Sequence, residues 1–217
     1  MTLLREEIAQ YDENKAKQVA NDILQTMAQA TQYLKEKNIE NKAIKTNDVA
    51  PEFNLMNHKN EPKSLKQYLE KSLVVLSFYR GGWCPYCNME LHALQELLAD
   101  IEKAGAILLA VSPEVPDHSL STHINNKLTF DILYDKGNEV AKKFGLVFQL
   151  PEVLKPIYAN FGLDIQGHNG DDTFKLPMPA TYIINQKGKV LYDFVDADYT
   201  KRSEPGEIID ILNTINS

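Results

Sequence analysis

The run Gly81-Gly82-Trp83-Cys84-Pro85-Tyr86-Cys87 holds both cysteines of this chain, three positions apart, between an apolar strand pattern and an amphipathic helix pattern. A strand that turns directly into a helix at a C-x-x-C pair belongs to a βαβ arrangement, which restricts the folds open to the sequence. It also sets the chemistry. A cysteine in the first turn of a helix faces unpaired backbone N–H groups and the positive end of the helix dipole. Both favour thiolate over thiol, so the first sulfur is expected to titrate below the free value of about 8.5. Cys84 is therefore the candidate nucleophile, expected to be the more exposed and more acidic sulfur. Cys87, one turn deeper, is the candidate resolving thiol, close enough to attack the first sulfur once that is oxidised.

The neighbours fit this assignment. Pro85 suits a first helical turn and stiffens the loop. Gly81 and Gly82 allow a sharp turn and are expected to leave room for a substrate, and Trp83 is expected to pack beside the site. One C-x-x-C supplies two zinc ligands where a closed site wants four, and the five histidines show no ligand spacing with a cysteine. Two buried structural thiols are the plain alternative.

At 217 residues the chain can bury one substantial core with an appendage. Its formal net charge of -7 argues against nucleic acid as a partner, because a phosphate backbone wants a basic face. The start, Met1-Thr2-Leu3-Leu4-Arg5-Glu6-Glu7, lacks a basic signal-peptide region, and no apolar run approaches membrane-spanning length. The expected location is the cytoplasm, with no membrane association. In that reducing compartment two cysteines point to a transient catalytic disulfide rather than a structural staple.

Apolar residues at Leu4, Ile8, Tyr11, Val19, Ile23, Met27, Ala30 and Leu34 predict one long helix over residues 3–37. It either packs on the main domain or serves as a dimerisation or docking helix. Residues 1–45 are thus expected to form a helical extension and 46–217 the main domain. Within the latter, Ala50 to Leu55 is predicted as an edge strand, Ser64 to Leu69 as a short helix, and Leu73 to Tyr79 as a central strand buried on both faces. The cysteine helix follows, with Leu91, Leu94, Leu98 and Ile101 as its buried stripe and Gly105 as its stop. Ala106 to Val111 and Thr129 to Tyr134 are further strands, separated by a helix near Asp117 to Asn126, and a short helix follows over Asn138 to Phe144. Residues 145–178 read as an irregular insertion shaping the rim of the site. A hairpin (Ala180 to Ile184, Lys189 to Phe194) and a closing helix (Glu207 to Ile215) complete the pattern. Helix-separated strands plus a hairpin give an α/β fold with a mixed central sheet flanked by helices, the thioredoxin-like architecture.

The chain also resembles a known family, the peroxiredoxin-like branch of the alkyl hydroperoxide reductase and thiol-specific antioxidant proteins. The resemblance covers roughly residues 45–217. It rests on Val49-Ala50-Pro51-Glu52-Phe53, Tyr79-Arg80-Gly81-Gly82-Trp83-Cys84-Pro85-Tyr86-Cys87, Phe144 to Phe148, Asn169-Gly170-Asp171, Pro179-Ala180-Thr181-Tyr182-Ile183-Ile184 and Tyr199 to Pro205. It implies a peroxidatic cysteine at Cys84, oxidised by hydrogen peroxide or an organic hydroperoxide to a sulfenic acid, and condensation with Cys87. It implies re-reduction by a cytosolic thioredoxin-type dithiol, and no metal or organic cofactor. In a thioredoxin-like fold Pro179 is expected to face the cysteine pair with a cis bond before it, an ordinary trans proline opening a strand being the plain alternative. Two features depart from the family's usual pattern. Ser77 and Gly81 stand where proline and threonine are usual, and Pro179 stands where an arginine tends to precede the later strand. Arg80 and Arg202 are the candidates to supply that guanidinium; a surface arginine in a salt bridge is the plain alternative for both, and for Arg202 above all. A C-x-x-C pair equally suits exchange with protein disulfides, so three functions stay open on sequence: thiol peroxidase, thiol–disulfide oxidoreductase, and a redox-regulated interaction protein docking through its N-terminal helix, the first two being enzymes.

Overall fold

The computed structural model describes residues 3–215. The N-terminal segment is two helices, α1 (Leu4–Gln18) and α2 (Asn21–Glu36), broken at Val19 and Ala20, which are both extended. The single helix expected over residues 3–37 is thereby corrected. Unbroken, it would run about 50 Å and could follow only one surface. The break lets α1 pack on the cysteine helix and α2 on a later helix. Residues 12–18 contain no large apolar side chain, so the stripe is interrupted just before the break. The Glu204 carboxylate accepts from the N–H groups of Leu4 (2.7 Å) and Arg5 (3.2 Å), placing an acid at the positive end of α1. Met27, Ala30 and Leu34 of α2 are buried, so the apolar faces of both helices are spent on the chain's own core.

The centre is a seven-stranded mixed sheet in the order β2-β1-β5-β4-β3-β8-β9. Its strands are β1 (Asn54–Asn57), β2 (Pro62–Ser64), β3 (Leu73–Phe78), β4 (Ala106–Ser112), β5 (Asp131–Tyr134), β8 (Ala180–Ile184) and β9 (Val190–Val195). β3, β4 and β5 run parallel, while β8 lies antiparallel to β3 on its other side. Period-two alternation divides β3 between two cores: Val74, Leu76 and Phe78 pack on one face, Val75 on the other with Tyr79 and both cysteines. The helices α4 (Pro85–Glu96), α5 (Leu98–Lys103) and α10 (Pro205–Ile215) cover the cysteine face. The helices α3 (Leu65–Leu69) and α7 (Glu139–Lys143) cover the opposite one. α6 (Pro116–Asn125) connects β4 to β5.

The edge strand begins later than expected. Residues 50–53 form no strand ladder, only single bonds from the Ala50 N–H to the Gly188 carbonyl and from the Leu65 N–H to the Phe53 carbonyl, and β1 starts at Asn54, forming a hairpin with β2 that the sequence pattern did not reveal. Residues 145–178 are not irregular. β6 (Val147–Gln149) pairs with β7 (Lys175–Pro177), enclosing α8 (Leu154–Asn160) and α9 (Ile165–Asn169). Elements this short show too few repeats to carry a periodicity. Pro156 also falls in the first turn of α8, where a missing N–H does no harm. The segment packs with α2 in a third apolar cluster, built on Met27, Leu154, Tyr158 and Leu176.

Candidate functional site

Cys84 is the N-cap of α4 and Pro85 its first helical residue, as the sequence predicts. The Cys84 N–H donates to the Gly81 carbonyl at 3.1 Å, and the Cys84 carbonyl accepts from the N–H groups of Cys87 and Asn88, each at 3.1 Å. The loop is pinned from the side as well. The Gly82 N–H donates to both oxygens of the buried Glu114 carboxylate (3.0 and 3.1 Å), and Asn88 Nδ2 donates to the Gly82 carbonyl at 2.7 Å. Glu114 also accepts from Thr122 Oγ1 at 3.0 Å and meets His168 Nδ1 at 2.8 Å.

The two glycines do not hold space for a substrate. Gly81 has φ +147°, and a Cβ there would lie 2.3 Å from Trp83 Nε1. A Cβ on Gly82 would lie 2.0 Å from Thr122 Oγ1. Both positions admit a neighbouring side chain of the protein itself, which corrects the expectation of room for substrate.

Both sulfurs are buried. Cys84 is 1% exposed and Cys87 0%, so Cys84 is not appreciably the more exposed of the two. The covering comes from parts of the chain far away in sequence, α1 and the Tyr199 segment: Tyr86 stacks edge-on with Tyr11 (5.2 Å between ring centroids) and with Tyr199 (5.4 Å). The two cysteines still differ in access, because Cys84 lines a cavity of about 260 Å³ and Cys87 does not. Phe161, 41% exposed, stands at the rim of that cavity.

Two guanidiniums bear on the sulfurs. Arg80 follows β3 and is buried beneath three aromatic rings: its guanidinium carbon lies 4.5 Å from the centroid of Tyr199, 4.8 Å from Trp83 and 5.6 Å from Tyr158. Its Nη2 donates to Tyr158 Oη at 2.8 Å. Trp83 packs on Tyr158 with ring centroids 6.0 Å apart, beside the site as expected. Arg202 is no surface arginine. Its side chain is 2% exposed, its Nη2 donates to Cys87 Sγ at 3.5 Å, and its Nη1 donates to the carbonyls of Tyr199 and Lys201. Arg202 Nε stands 2.7 Å from Glu90 Oε2, an ion pair whose N–H direction is not aligned for a hydrogen bond.

These charges decide the titration. Burial pushes the Cys84 thiol up. The hydrogen bond from the Cys87 thiol, the charges of Arg80 and Arg202 and the Cys87 N–H outweigh it and hold Cys84 well below the usual thiol value. Cys87 goes the other way, raised by burial, by its hydrogen bond to Cys84 and by the adjacent Cys84 charge. The pair is thus divided into an anion and a protonated thiol. Glu90 is raised to about 7 by burial, against the pull of Arg202 and the Thr181 hydroxyl.

Pro179 lies at the sheet end that carries the cysteine loop, since Ala180 pairs with Phe78. The bond before it is not cis; no peptide bond among the described residues is. The reason is local. Met178 donates to the Leu146 carbonyl at 2.9 Å while its chain leaves β7 and enters β8 immediately, an extended path that a trans bond continues.

The sequence reading missed Glu90, Glu114, Tyr158 and Tyr199. Glu90 had a signal: it lies three residues after Cys87 and one before Leu91, on the buried stripe of an amphipathic helix, where a carboxyl needs a partner. The other three are brought in by tertiary packing.

Comparison with known proteins fits this arrangement. The sequence model of the AhpC/TSA family matches residues 46–193, more than half of the chain. The chain belongs to the AhpC/TSA family. Among curated relatives, Peroxiredoxin Bcp of Escherichia coli K12 is 26% identical over 103 residues, covering 48% of this chain and 65% of that protein, so the match spans just under two thirds of that relative's length. The chloroplastic Peroxiredoxin Q of Triticum aestivum is 25% identical over 172 residues, covering 79% of this chain and 68% of that protein. Among solved structures, Peroxidoxin BcpB of Mycobacterium tuberculosis superposes with a TM-score of 0.63 at 20% identity, over 80% of this chain and 99% of its own. A cysteine-to-serine mutant of Xylella fastidiosa PrxQ gives a TM-score of 0.62 at 16% identity, over 81% and 96%. These structural likenesses establish the thioredoxin-like fold of an AhpC/TSA protein. The family match begins at residue 46, so α1 and α2 lie outside it. No helix among the described residues is long and apolar enough to cross a membrane.

Proposed function

We propose that this AhpC/TSA protein is a thiol peroxidase that reduces hydroperoxides through Cys84 and Cys87. The observation that carries the reading is the division of the pair: Cys84, under two guanidiniums and at a helix N-terminus, is the anion and lines a cavity, while Cys87 beside it keeps its proton. The Cys84 thiolate attacks the terminal oxygen of ROOH, the O–O bond breaks, and the alkoxide leaves to take a proton as ROH. Arg80 and Arg202 lie where negative charge moves from sulfur to oxygen. Cys87 then attacks the sulfenic sulfur; the S–S bond forms, the S–O bond breaks, and the Cys87 proton departs with the hydroxyl as water. A thioredoxin-type dithiol returns the disulfide to two thiols, its own sulfurs being oxidised in exchange.

In this reading residues 46–217 are the catalytic unit and residues 1–45 an extension that covers it, acting in the cytoplasm. The buried position of Cys84 favours a peroxide over a protein disulfide as the oxidant, because a small molecule reaches the sulfur through the cavity while a folded partner meets Tyr11 and Tyr199, packed over the buried Tyr86, first. Recycling by a protein reductant is then the step that requires those covering groups to move. The apolar faces of α1 and α2 are already packed, which leaves little for a docking role.

Trp83, the one tryptophan of the chain, stands beside Cys84 and reports on it. Stopped-flow fluorescence of the reduced protein with micromolar hydrogen peroxide is expected to show oxidation far faster than that of free cysteine. In Cys87→Ser a sulfenic acid should accumulate and be trapped by dimedone. A rate equal to that of free cysteine, with no trapped adduct, refutes the reading.

A further inference from the structure

The inward stripe of α1, made by Leu4, Ile8 and Tyr11, continues in helical phase to Lys15, about three turns after Leu4. A stripe that faces the core therefore ends on an amine. Lys15 is half-buried; its Nζ donates to Tyr86 Oη at 3.1 Å, and Tyr86 Oη donates in turn to the Asp12 carboxylate. The side chain is shared between two hollows. On one side it lines the cavity that holds Cys84 and Arg80. On the other it lines a polar cleft of about 300 Å³ with Asp12, Asp198, Thr200 and the exposed Gln32. An amine so placed joins the buried sulfur to the solvent side of α1, and α1 lies outside the family match.

Cleavage of the peroxide needs a proton in this cavity. When the thiolate takes the terminal oxygen of ROOH, the other oxygen leaves as RO⁻, a strong base; water itself has a pKa of about 15.7. Arg80 cannot supply the proton, because a guanidinium is not deprotonated in proteins. A phenol that supplied it would leave a new anion in a poorly solvated space, whereas an ammonium that does so becomes neutral. Cys87 keeps its own proton for the water released in the resolving step. Burial lowers the Lys15 amine from its ordinary value of 10.5, making it a better acid; the charges of Asp12, Cys84 and Asp198 pull it back up, and Arg80 lowers it further. We propose that Lys15 is the general acid of the peroxide-cleaving step, a catalytic residue supplied by the helical extension. The inference rests on the peroxidase reading above and adds a reacting group to it. As the O–O bond breaks, an Nζ–H bond breaks and an O–H bond forms, so ROH leaves instead of RO⁻. Thiolate and ammonium are discharged together, and the neutral amine regains a proton from water in the polar cleft on its other side.

The test varies the leaving group. Hydrogen peroxide releases hydroxide unless a proton is given, while peracetic acid, attacked by the same thiolate, releases acetate, a carboxylate with an ordinary pKa of about 4 that needs none. Stopped-flow Trp83 fluorescence gives the second-order rate constant of Cys84 oxidation by each at pH 8, far enough above the Cys84 titration that the thiolate is fully formed, and absorbance at 240 nm checks this in every variant. Lys15→Met removes both the charge and the proton. Lys15→Arg keeps the charge and the length of the side chain but gives up no proton. Both variants are expected to react about a hundredfold more slowly with hydrogen peroxide, and less than about threefold more slowly with peracetic acid. An equal loss with the two oxidants overturns the assignment, because the amine then only holds α1 over the site. Full reactivity of Lys15→Arg or of Lys15→Met with hydrogen peroxide overturns it as well, and in each case the peroxidase reading stands. Oxidation of the parent by both reagents at the rates of free cysteine overturns both readings.

Discussion

Replacing Arg202 by Met removes the counter-ion of a buried carboxyl, and the consequence depends on pH in a way the structure specifies. In the native protein Glu90 sits at about 7, raised from its ordinary value of 4.5 by burial even with Arg202 Nε 2.7 Å away. A carboxyl raised by folding binds its proton more tightly in the folded state. Its unfavourable contribution is absent below the unfolded value, grows as pH rises through the window from 4.5 to 7, and is constant above that window. Without Arg202 the guanidinium charge that lowers Glu90 is gone and its pKa moves above 7. The variant therefore goes on losing stability above pH 7, where the parent has levelled off. The slope is at most about 1.4 kcal/mol per pH unit, so the gap between the two widens above pH 7, by up to roughly 2–3 kcal/mol at pH 9. At pH 6 Glu90 is largely protonated in both, and the remaining difference is the lost hydrogen bonds to the Tyr199 and Lys201 carbonyls, of order ~1–3 kcal/mol. The assay is urea unfolding at pH 6, 7, 8 and 9 in a Cys84→Ser, Cys87→Ser background, which removes thiol titration and, with it, the Cys84 charge that adds to the rise of Glu90, so that the parent levels off somewhat lower. The double variant Arg202→Met, Glu90→Gln should show no widening. A gap of constant size across the range refutes the reasoning.

Arg80→Met keeps the stem of the side chain and removes its charge; the Cys84 thiolate, followed by absorbance at 240 nm against pH, should titrate about one unit or more higher, with a matching loss of peroxide reactivity at pH 6. An unmoved titration would assign the low value to Cys87 and Arg202 without Arg80. Gly82→Ala drives a Cβ to 2.0 Å from Thr122 Oγ1 and should cost about 1–3 kcal/mol in urea unfolding, partly recovered by Thr122→Ala. A neutral Gly82→Ala would mean that the loop shifts freely, against the hydrogen bonds that Glu114 makes to it.

What the sequence disclosed follows from where the causes lie. The turn from β3 into α4, the C-x-x-C pair at its start and the stripe Leu91, Leu94, Leu98 and Ile101 were legible because each depends on neighbours within a few residues. The parallel strands were legible because two-sided burial leaves continuous apolar runs such as Leu73 to Phe78. The break at Val19 and Ala20 was visible only as a missing apolar turn, easily bridged by the eye when the stripe resumes in nearly the same phase. The cage around Arg80 was not legible at all. Tyr158 and Tyr199 reach it from 78 and 119 positions away in the numbering, and tyrosines in such segments carry no local mark of what they will face. The exposure of Cys84 failed for the same reason: a helix N-terminus is open only until something covers it, and the cover here is the segment farthest from the family pattern.

The covering makes sense of the charges. An isolated anion taken out of water is expensive, and a buried thiolate survives only where cations accompany it. Here two guanidiniums meet two acidic groups, Cys84 at the N-cap of α4 and Glu90 more than one and a half turns further along it. Cys84 is among the influences that raise Glu90. Once Cys84 is bound to oxygen or to Cys87 it carries no charge, that influence is lost, and Arg202 is left with a single acid to answer it. With that influence gone the Glu90 carboxyl is raised less, burial remaining the main cause. A carboxyl poised near neutrality answers such a change by a fraction of a proton. An aspartate or glutamate at its ordinary value would be charged throughout, and a glutamine never. The buried stripe of α4 thus carries its one acidic residue where the change of charge on Cys84 would otherwise leave a cation unbalanced.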